Sequence, residues 1–122
     1  MVLAPIAFFV YKRPEHTKKT LEALAANELA SESELFIFSD GARNEQDEKS
    51  VLAVREYIRT AKGFKSVSIL EHVKNQGLAK SLIGGITELC DKFGRVIVVE
   101  DDVLTSPYFL RFMNDALNLY EN

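Results

Sequence analysis

The sequence predicts an α/β protein with three layers, in which a mostly parallel β-sheet carries helices on both faces. Two alternating patterns favour this fold. Short apolar runs typical of strands occur at 6–11, 35–39, 67–72 and 96–100. Between and after them, apolar residues recur at helical spacing within 21–25, 51–61, 78–93 and 109–120. Strands that alternate with helices form βαβ units, and such units build parallel sheets.

We expect the strand order 3-2-1-4 that occurs in open α/β sheets, because it places the first strand centrally and the third at an edge. The first run (6–10) and the fourth (96–99) are continuously apolar, which is typical of strands covered on both faces. The third run partly alternates and suits a sheet edge. The order nevertheless leaves the fourth strand at the other edge. We therefore expect residues 1–122 to be the N-terminal, nucleotide-sugar-binding half of a longer domain whose acceptor-binding half is absent. We expect the open edge to be prone to pairing with a second copy, as a homodimer.

The bulk composition excludes several classes of protein. The chain has 122 residues, a formal net charge of −3 and a single cysteine. A nucleic-acid partner normally requires a basic surface, so we expect none. No apolar run approaches the ~20 residues of a membrane-spanning helix. One cysteine cannot form an internal disulfide, and we expect a cytoplasmic protein with Cys90 buried as a small apolar side chain.

Polar residues follow all four predicted strands. The first strand ends at Tyr11-Lys12-Arg13, the second at Ser39-Asp40-Gly41 and the fourth at Glu100-Asp101-Asp102, while 72–77 follow the third. Open parallel sheets bind ligands beyond the carboxyl ends of their strands, where the strand order reverses. These residues therefore form the predicted binding site. By contrast, we interpret the charged residues at 45–49 as the solvated first turns of a helix.

The run Glu100-Asp101-Asp102 predicts a metal site. Three successive carboxylates repel one another, and a divalent cation relieves that repulsion. Hard oxygen ligands suit Mg²⁺ or Mn²⁺. The alternative is a solvated acidic turn that caps the next helix, although Ser106 followed by Pro107 already offers a cap and a first helical residue.

Three segments resemble known glycosyltransferases. The segment 98–103, Val-Val-Glu-Asp-Asp-Val, followed by 106–110, Ser-Pro-Tyr-Phe-Leu, resembles the acidic motif of N-acetylglucosaminyltransferase I and its relatives. The segment 5–14 is similar to the first strand and nucleotide-binding loop of GT-A glycosyltransferases, and 75–79 to the Asn-x-Gly element of glycosyltransferase family 2. The resemblance spans the chain, and the acidic motif is its one specific part.

The resemblance implies a role for each acidic residue. Asp102 would coordinate Mn²⁺ or Mg²⁺, and Glu100 and Asp101 would lie against the ribose and the sugar diphosphate. Asp40 would accept a hydrogen bond from the base. The ligand would be a nucleoside-diphosphate sugar, with a UDP-sugar favoured.

The same resemblance implies the rest of the nucleotide pocket. Arg13 would lie beside the nucleotide, and Tyr11 would pack against the base. Asn75 and Gly77 would line the far side. The chain departs from family 2 at Gly41-Ala42, where those enzymes have a further acid, and at Gly84-Gly85, which we interpret as close packing or a helix break.

These roles imply an enzyme that transfers a sugar to an acceptor hydroxyl. The general base is expected outside this chain, so residues 1–122 alone should show little or no activity. Three alternatives remain. A non-catalytic nucleotide-binding module would have the same site. A receiver-type signalling domain should carry its acid pair after the first strand, and a nucleotidyltransferase should carry a glycine-rich loop there; this chain has Tyr11-Lys12-Arg13.

Overall fold

The protein is an α/β fold built on one parallel sheet. A computed structural model describes residues 2–120. The strands are β1 (Ile6–Val10), β2 (Glu34–Ser39), β3 (Ser66–Glu71) and β4 (Ile97–Glu100). The helices are α1 (Pro14–Ala25), α2 (Glu45–Ile58), α3 (Leu78–Phe93) and α4 (Phe109–Tyr120), with a short 3₁₀ helix at Ala30–Glu32. Pro14 opens α1 as expected, whereas α4 begins two residues after Pro107.

The sheet has the order β3-β2-β1-β4, and every pair of neighbours is parallel. The predicted fold class and strand order are confirmed. In register, Ile6 of β1 lies between Leu35 of β2 and Ile97 of β4. The carboxyl ends of β1, β2 and β4 therefore reach the same edge of the sheet, where the predicted site residues follow them.

Two apolar cores cover the two faces of the sheet. Because side chains alternate along a strand, Ile6 and Phe8 face one core, which also contains residues of α1, α2 and α4. Ala7 and Phe9 face the other core, which α3 covers. The three layers predicted from the sequence are thus present, with three helices on one face and α3 on the other.

The covering of β4 differs from the prediction. Ile97 and Val99 are buried, but Val98 is 38% exposed on the side of α3. The helix α3 packs over Phe9 and Phe38 and leaves the outer strand open on that face. Its apolar composition therefore reflects burial of one face only. The expected contact with a second copy at this edge stays a prediction.

The helix α3 also corrects the prediction for Cys90, which is exposed. Its side chain lies on a flank of α3 that faces away from the sheet. Among the described residues, no helix is both long enough and apolar enough to cross a membrane.

Two adjacent glycines of α3 have opposite roles, and this difference leads to a prediction. A Cβ on Gly85 would lie 2.8 Å from Cζ of Phe9 and 3.2 Å from Cζ of Phe38, so this glycine marks close packing. A Cβ on Gly84 would meet nothing within 4 Å. We expect Gly85→Ala to destabilise the fold by ~1–3 kcal/mol through overpacking. We expect Gly84→Ala to stabilise it by ~0.4–1 kcal/mol, because alanine restricts the unfolded chain. Urea unfolding of the two variants measures both effects, and equal shifts would contradict the assigned packing.

Candidate functional site

A cavity of about 470 Å³ lies at the carboxyl ends of the strands, beside the β1–β4 pair where the strand order reverses. Seven residues predicted to bind the nucleotide line it together. They are Tyr11, Arg13, Asp40, Asn75, Gly77, Glu100 and Asp101. They follow four different strands, and parallel pairing alone brings them to one edge of the sheet.

The acidic run at the end of β4 forms one wall of the cavity through Glu100 and Asp101, whereas the predicted metal ligand Asp102 is not among the residues that line it. Asp101 is buried and accepts a hydrogen bond from the guanidinium of Arg13. Its backbone carbonyl accepts a bond of 2.9 Å from the hydroxyl of Thr20 in α1. The hydrogen bond to Asp101 raises the pKa of Arg13, so this side chain stays cationic. The predicted metal ligand, Asp102, has a 56% exposed side chain that lies 4.0 Å from Arg13.

These acids fit one kind of metal site. Within residues 2–120, no three side chains of His, Cys, Asp or Glu form a ready-made cage for an ion. Asp101 is engaged by Arg13, which leaves the exposed carboxylate of Asp102 and the half-buried Glu100 beside it. A closed structural zinc site needs four protein ligands. A magnesium-type ion takes one or two carboxylates and keeps its other positions for water or phosphate oxygens, and the residues present suit that ion.

Asn27, in the segment after α1, makes hydrogen bonds to the chain that connects the acidic residues to α4. The amide of Asn27 donates 3.0 Å to the hydroxyl of Thr105, and its carbonyl oxygen accepts 2.9 Å from the backbone N–H of Leu110. Asn27 thereby satisfies a donor at the start of α4. The chain between Asp102 and α4 is thus held against the segment that directly follows α1.

The loop after β1 is held by Asp47, a residue whose role the sequence did not reveal. The hydroxyl of Tyr11 donates 2.7 Å to Asp47, and the ammonium of Lys12 lies 3.2 Å from the same carboxylate. The backbone N–H of Arg43 donates 3.1 Å to the Tyr11 oxygen. Asp47 is 7% exposed, so its interpretation as a solvated acid is wrong.

The position of Asp47 in α2 explains why the sequence misled. Asp47 is the third residue of the helix, and its N–H is capped by the side chain of Asn44 at 3.0 Å. Acids are common in a first helical turn because they favour its positive end. The pattern at 45–49 therefore looks the same whether the acid faces solvent or the neighbouring loop.

The charge of Asp47 predicts a pH dependence. The hydrogen bond from Tyr11 is the main cause that lowers the pKa of Asp47 below its ordinary 3.8, and burial raises the pKa of Tyr11. A carboxylate with a depressed folded pKa stabilises the fold above its unfolded pKa and loses that contribution as the pH falls through the folded value. We expect Asp47→Asn to be less stable than the wild type at pH 7. The difference in unfolding free energy should shrink below about pH 4, whereas a difference independent of pH would contradict this role.

The carboxylate of Asp40 organises the opposite wall. It accepts hydrogen bonds from the backbone N–H groups of Gly41 (2.9 Å), Gln76 (2.9 Å) and Gly77 (3.0 Å). The side-chain amide of Asn75 donates a further bond of 3.2 Å. Asp40 lines the cavity, and both of its oxygens already serve the loop before α3. Its proposed contact with the base stays a prediction.

Close backbone packing explains why a glycine follows Asp40. A Cβ at Gly41 would lie 2.7 Å from the backbone carbon of Lys74 and 2.8 Å from the carbonyl oxygen of Val73. The loop after β3 therefore passes directly over this residue. A side chain at position 41 therefore has no room here.

Arg55 of α2 joins the ends of β2 and β3, a role that was not predicted from the sequence. Its guanidinium donates to the hydroxyl of Ser39 (3.0 Å) and to the backbone carbonyls of Asp40 (3.2 Å) and His72 (2.7 Å). These carbonyls lie beyond the last ladder bonds of the two strands. One arginine can donate to both carbonyl groups because α2 packs across the ends of both strands, and this arrangement is visible only in the structure.

Three further polar or cationic residues line the cavity without having been predicted to bind a ligand. They are Lys12, Arg43 and Ser81. The two cations follow β1 and β2, whereas the acids Glu100 and Asp101 lie at the end of β4. The cavity thus presents both charge signs to a ligand.

No protein-family model and no curated protein matches the chain.

Proposed function

We propose that this chain binds a nucleoside-diphosphate sugar together with Mn²⁺ or Mg²⁺, as the nucleotide-sugar-binding part of a GT-A-type glycosyltransferase. One observation carries the proposal. Seven residues chosen from the sequence for nucleotide binding, at or just beyond the carboxyl ends of four strands, line the same cavity. The resemblance of 98–110 to the acidic motif of such enzymes supports the same assignment.

The diphosphate belongs on the acidic side of the cavity. Asp102 would hold the cation, with Glu100 near it, and the cation would take phosphate oxygens in its remaining positions. A bound divalent ion neutralises the charge that builds on a leaving diphosphate. Arg13 stays cationic beside these acids, so it can bind a phosphate oxygen while Asp101 fixes its guanidinium.

The nucleoside belongs on the side of β2 and α3. The ring of Tyr11 is held by the bond from its hydroxyl to Asp47, so it forms a preorganised surface for a base. Asp40 and Asn75 close the far wall, and Gly77 leaves it without a side chain at that point. Arg43 adds a cation to the lining of the cavity, and its side chain is exposed.

The chemistry of sugar transfer needs one group more. A base must deprotonate the acceptor hydroxyl in an inverting transferase, and we assign that role to no residue of this cavity. The single cysteine cannot form an internal disulfide, which supports the cytoplasmic setting that we propose. The residues of the cavity support binding of the donor nucleotide-sugar by this chain.

Calorimetric titration tests the proposal. UDP should bind the chain with Mn²⁺ present and far more weakly with the ion removed by chelation, and GDP provides the comparison for the base. Metal-dependent binding of either nucleotide is the expected result. If neither nucleotide binds with the ion present, the proposed function is wrong.

A further inference from the structure

Ser81 has a buried hydroxyl that the fold itself does not use. The residue is the fourth of α3, is 6% exposed and lines the cavity. Its Oγ is buried and has no hydrogen-bond partner among the described residues. Buried polar groups are normally paired, so an unpaired hydroxyl in the wall of a cavity indicates a partner that arrives from the cavity.

The usual local partner of such a hydroxyl is not taken. A helical serine can donate to the carbonyl of the residue four positions earlier, which is Gly77 here. The Gly77 carbonyl accepts the backbone N–H of Ser81 at 3.0 Å, but the hydroxyl makes no bond to it. A serine hydroxyl turns about a single bond between staggered positions. Rotation about this bond can therefore bring the hydroxyl to a ligand in the cavity without movement of the helix.

The neighbouring residues give the fold no reason to need a hydroxyl. Gly85 lies one turn later on the same side of α3 and contacts the rings of Phe9 and Phe38. Phe9 and Phe38 line the cavity as well, and their rings stack with centroids 5.0 Å apart. An alanine at 81 would suit this apolar surrounding better and is the stronger helix former.

The charge around the start of α3 indicates which chemical group fits. A helix N-terminus attracts anions, but the negative charge of Asp40 already lies at this end of α3, because its carboxylate accepts the N–H groups of Gln76 and Gly77, the two residues that precede the helix. The positive end of α3 is thus compensated by the protein. A neutral polar group suits this wall, whereas a phosphate suits the side of Arg13 and Asp102.

We propose that the hydroxyl of Ser81 hydrogen-bonds the polar edge of the nucleotide base and helps to determine which base the site accepts. This inference rests on the proposed function, since it concerns the nucleotide of the same cavity. The neutral amide and carbonyl groups of a base can both donate to and accept from a hydroxyl. The base then lies between the ring of Tyr11 and the start of α3.

The test is the substitution Ser81→Ala, measured with whichever of UDP and GDP binds the wild-type chain more tightly in the presence of Mn²⁺. We expect the Kd to rise about 3- to 10-fold, the range for one lost hydrogen bond. We expect the melting temperature without ligand to stay equal or rise, because an unpaired buried hydroxyl is removed. Thr87→Ala is the matched control, since Thr87 is exposed on the same helix, and its Kd should not change.

The outcomes separate this inference from the proposed function. If the wild type binds and Ser81→Ala binds equally well, the role of Ser81 is wrong and the proposed function stands. A lower melting temperature for Ser81→Ala would show that the hydroxyl has a structural partner, and this too would overturn the inference. Absence of binding by the wild type with both nucleotides would overturn the two together.

Discussion

Replacement of Asp102 by asparagine is expected to weaken Mn²⁺-dependent nucleotide binding on the order of 100-fold. A unit charge pair at about 4 Å near a protein surface interacts by ~4 kcal/mol, of which desolvation offsets a part. Each ~1.4 kcal/mol is a tenfold change in affinity. Among the three acids, Asp102 is the one whose carboxylate is exposed and accepts no hydrogen bond from another described residue. Its loss therefore removes the charge on which the cation depends.

The same variant should leave the fold unchanged. The side chain of Asp102 is 56% exposed and lies 4.0 Å from Arg13, at the outer limit of an ion pair. We expect the unfolding free energy to change by less than ~0.5 kcal/mol. Asp91→Asn, an exposed acid near the end of α3, is the matched control for a lost charge. If Asp102→Asn binds as the wild type does, the metal ligand is another residue.

Replacement of Asp40 by alanine is expected to destabilise the protein by about 2–4 kcal/mol. The substitution removes the acceptor for the backbone N–H groups of Gly41, Gln76 and Gly77 and for the amide of Asn75. An unsatisfied buried donor costs ~1–3 kcal/mol. Water in the cavity will hydrate some of these groups, so the total is smaller than the sum. Urea unfolding measures the loss.

Asp40→Asn distinguishes the hydrogen bonds from the space that the side chain fills. Asparagine keeps the volume of the side chain and one acceptor oxygen, but it turns an NH₂ group towards the backbone donors. We therefore expect Asp40→Asn to lower the free energy of unfolding by less than Asp40→Ala does. A loss below ~1 kcal/mol for Asp40→Ala would mean that the loop from 72 to 77 holds its shape without the carboxylate. In that case the residue would be free to bind a base.

It could be predicted from the sequence that the site residues meet at one place, because the apolar pattern predicts a parallel sheet and a parallel sheet brings the ends of its strands together. Parallel strands end at one edge of their sheet, so Tyr11, Asp40 and Glu100 meet whatever their separation along the chain. The acidic run at 100–102 could also be recognised as a candidate site, since three successive carboxylates repel one another and need a reason to be there. The direction of each side chain was not predictable. Asp101 turns to Arg13 and Asp102 turns to solvent, although they are adjacent and chemically identical.

The residues that support the site depend on contacts between distant segments. Tyr11 and Asp47 are 36 positions apart, and Arg55 meets His72 across the ends of two strands. No periodicity encodes such a pair, because an acid in a first helical turn and an arginine in a helix are ordinary in themselves. Ser81 is similar, since its unpaired hydroxyl becomes visible only when every neighbour has been placed.

The sequence by itself determined the class of fold, the order of the strands and the edge of the sheet at which polar residues gather. These follow from short apolar runs that alternate with segments of helical periodicity, and from the rule that parallel strands end at one edge of their sheet. The tertiary structure decided which helix lies on which face. Because α3 alone covers its face and packs over Phe9 and Phe38, Val98 and Cys90 remain exposed despite their apolar character. It also decided which carboxylates serve the fold, such as Asp40 and Asp47, and which one is left for a ligand, because burial and hydrogen bonding are set by neighbours that the chain brings together only on folding.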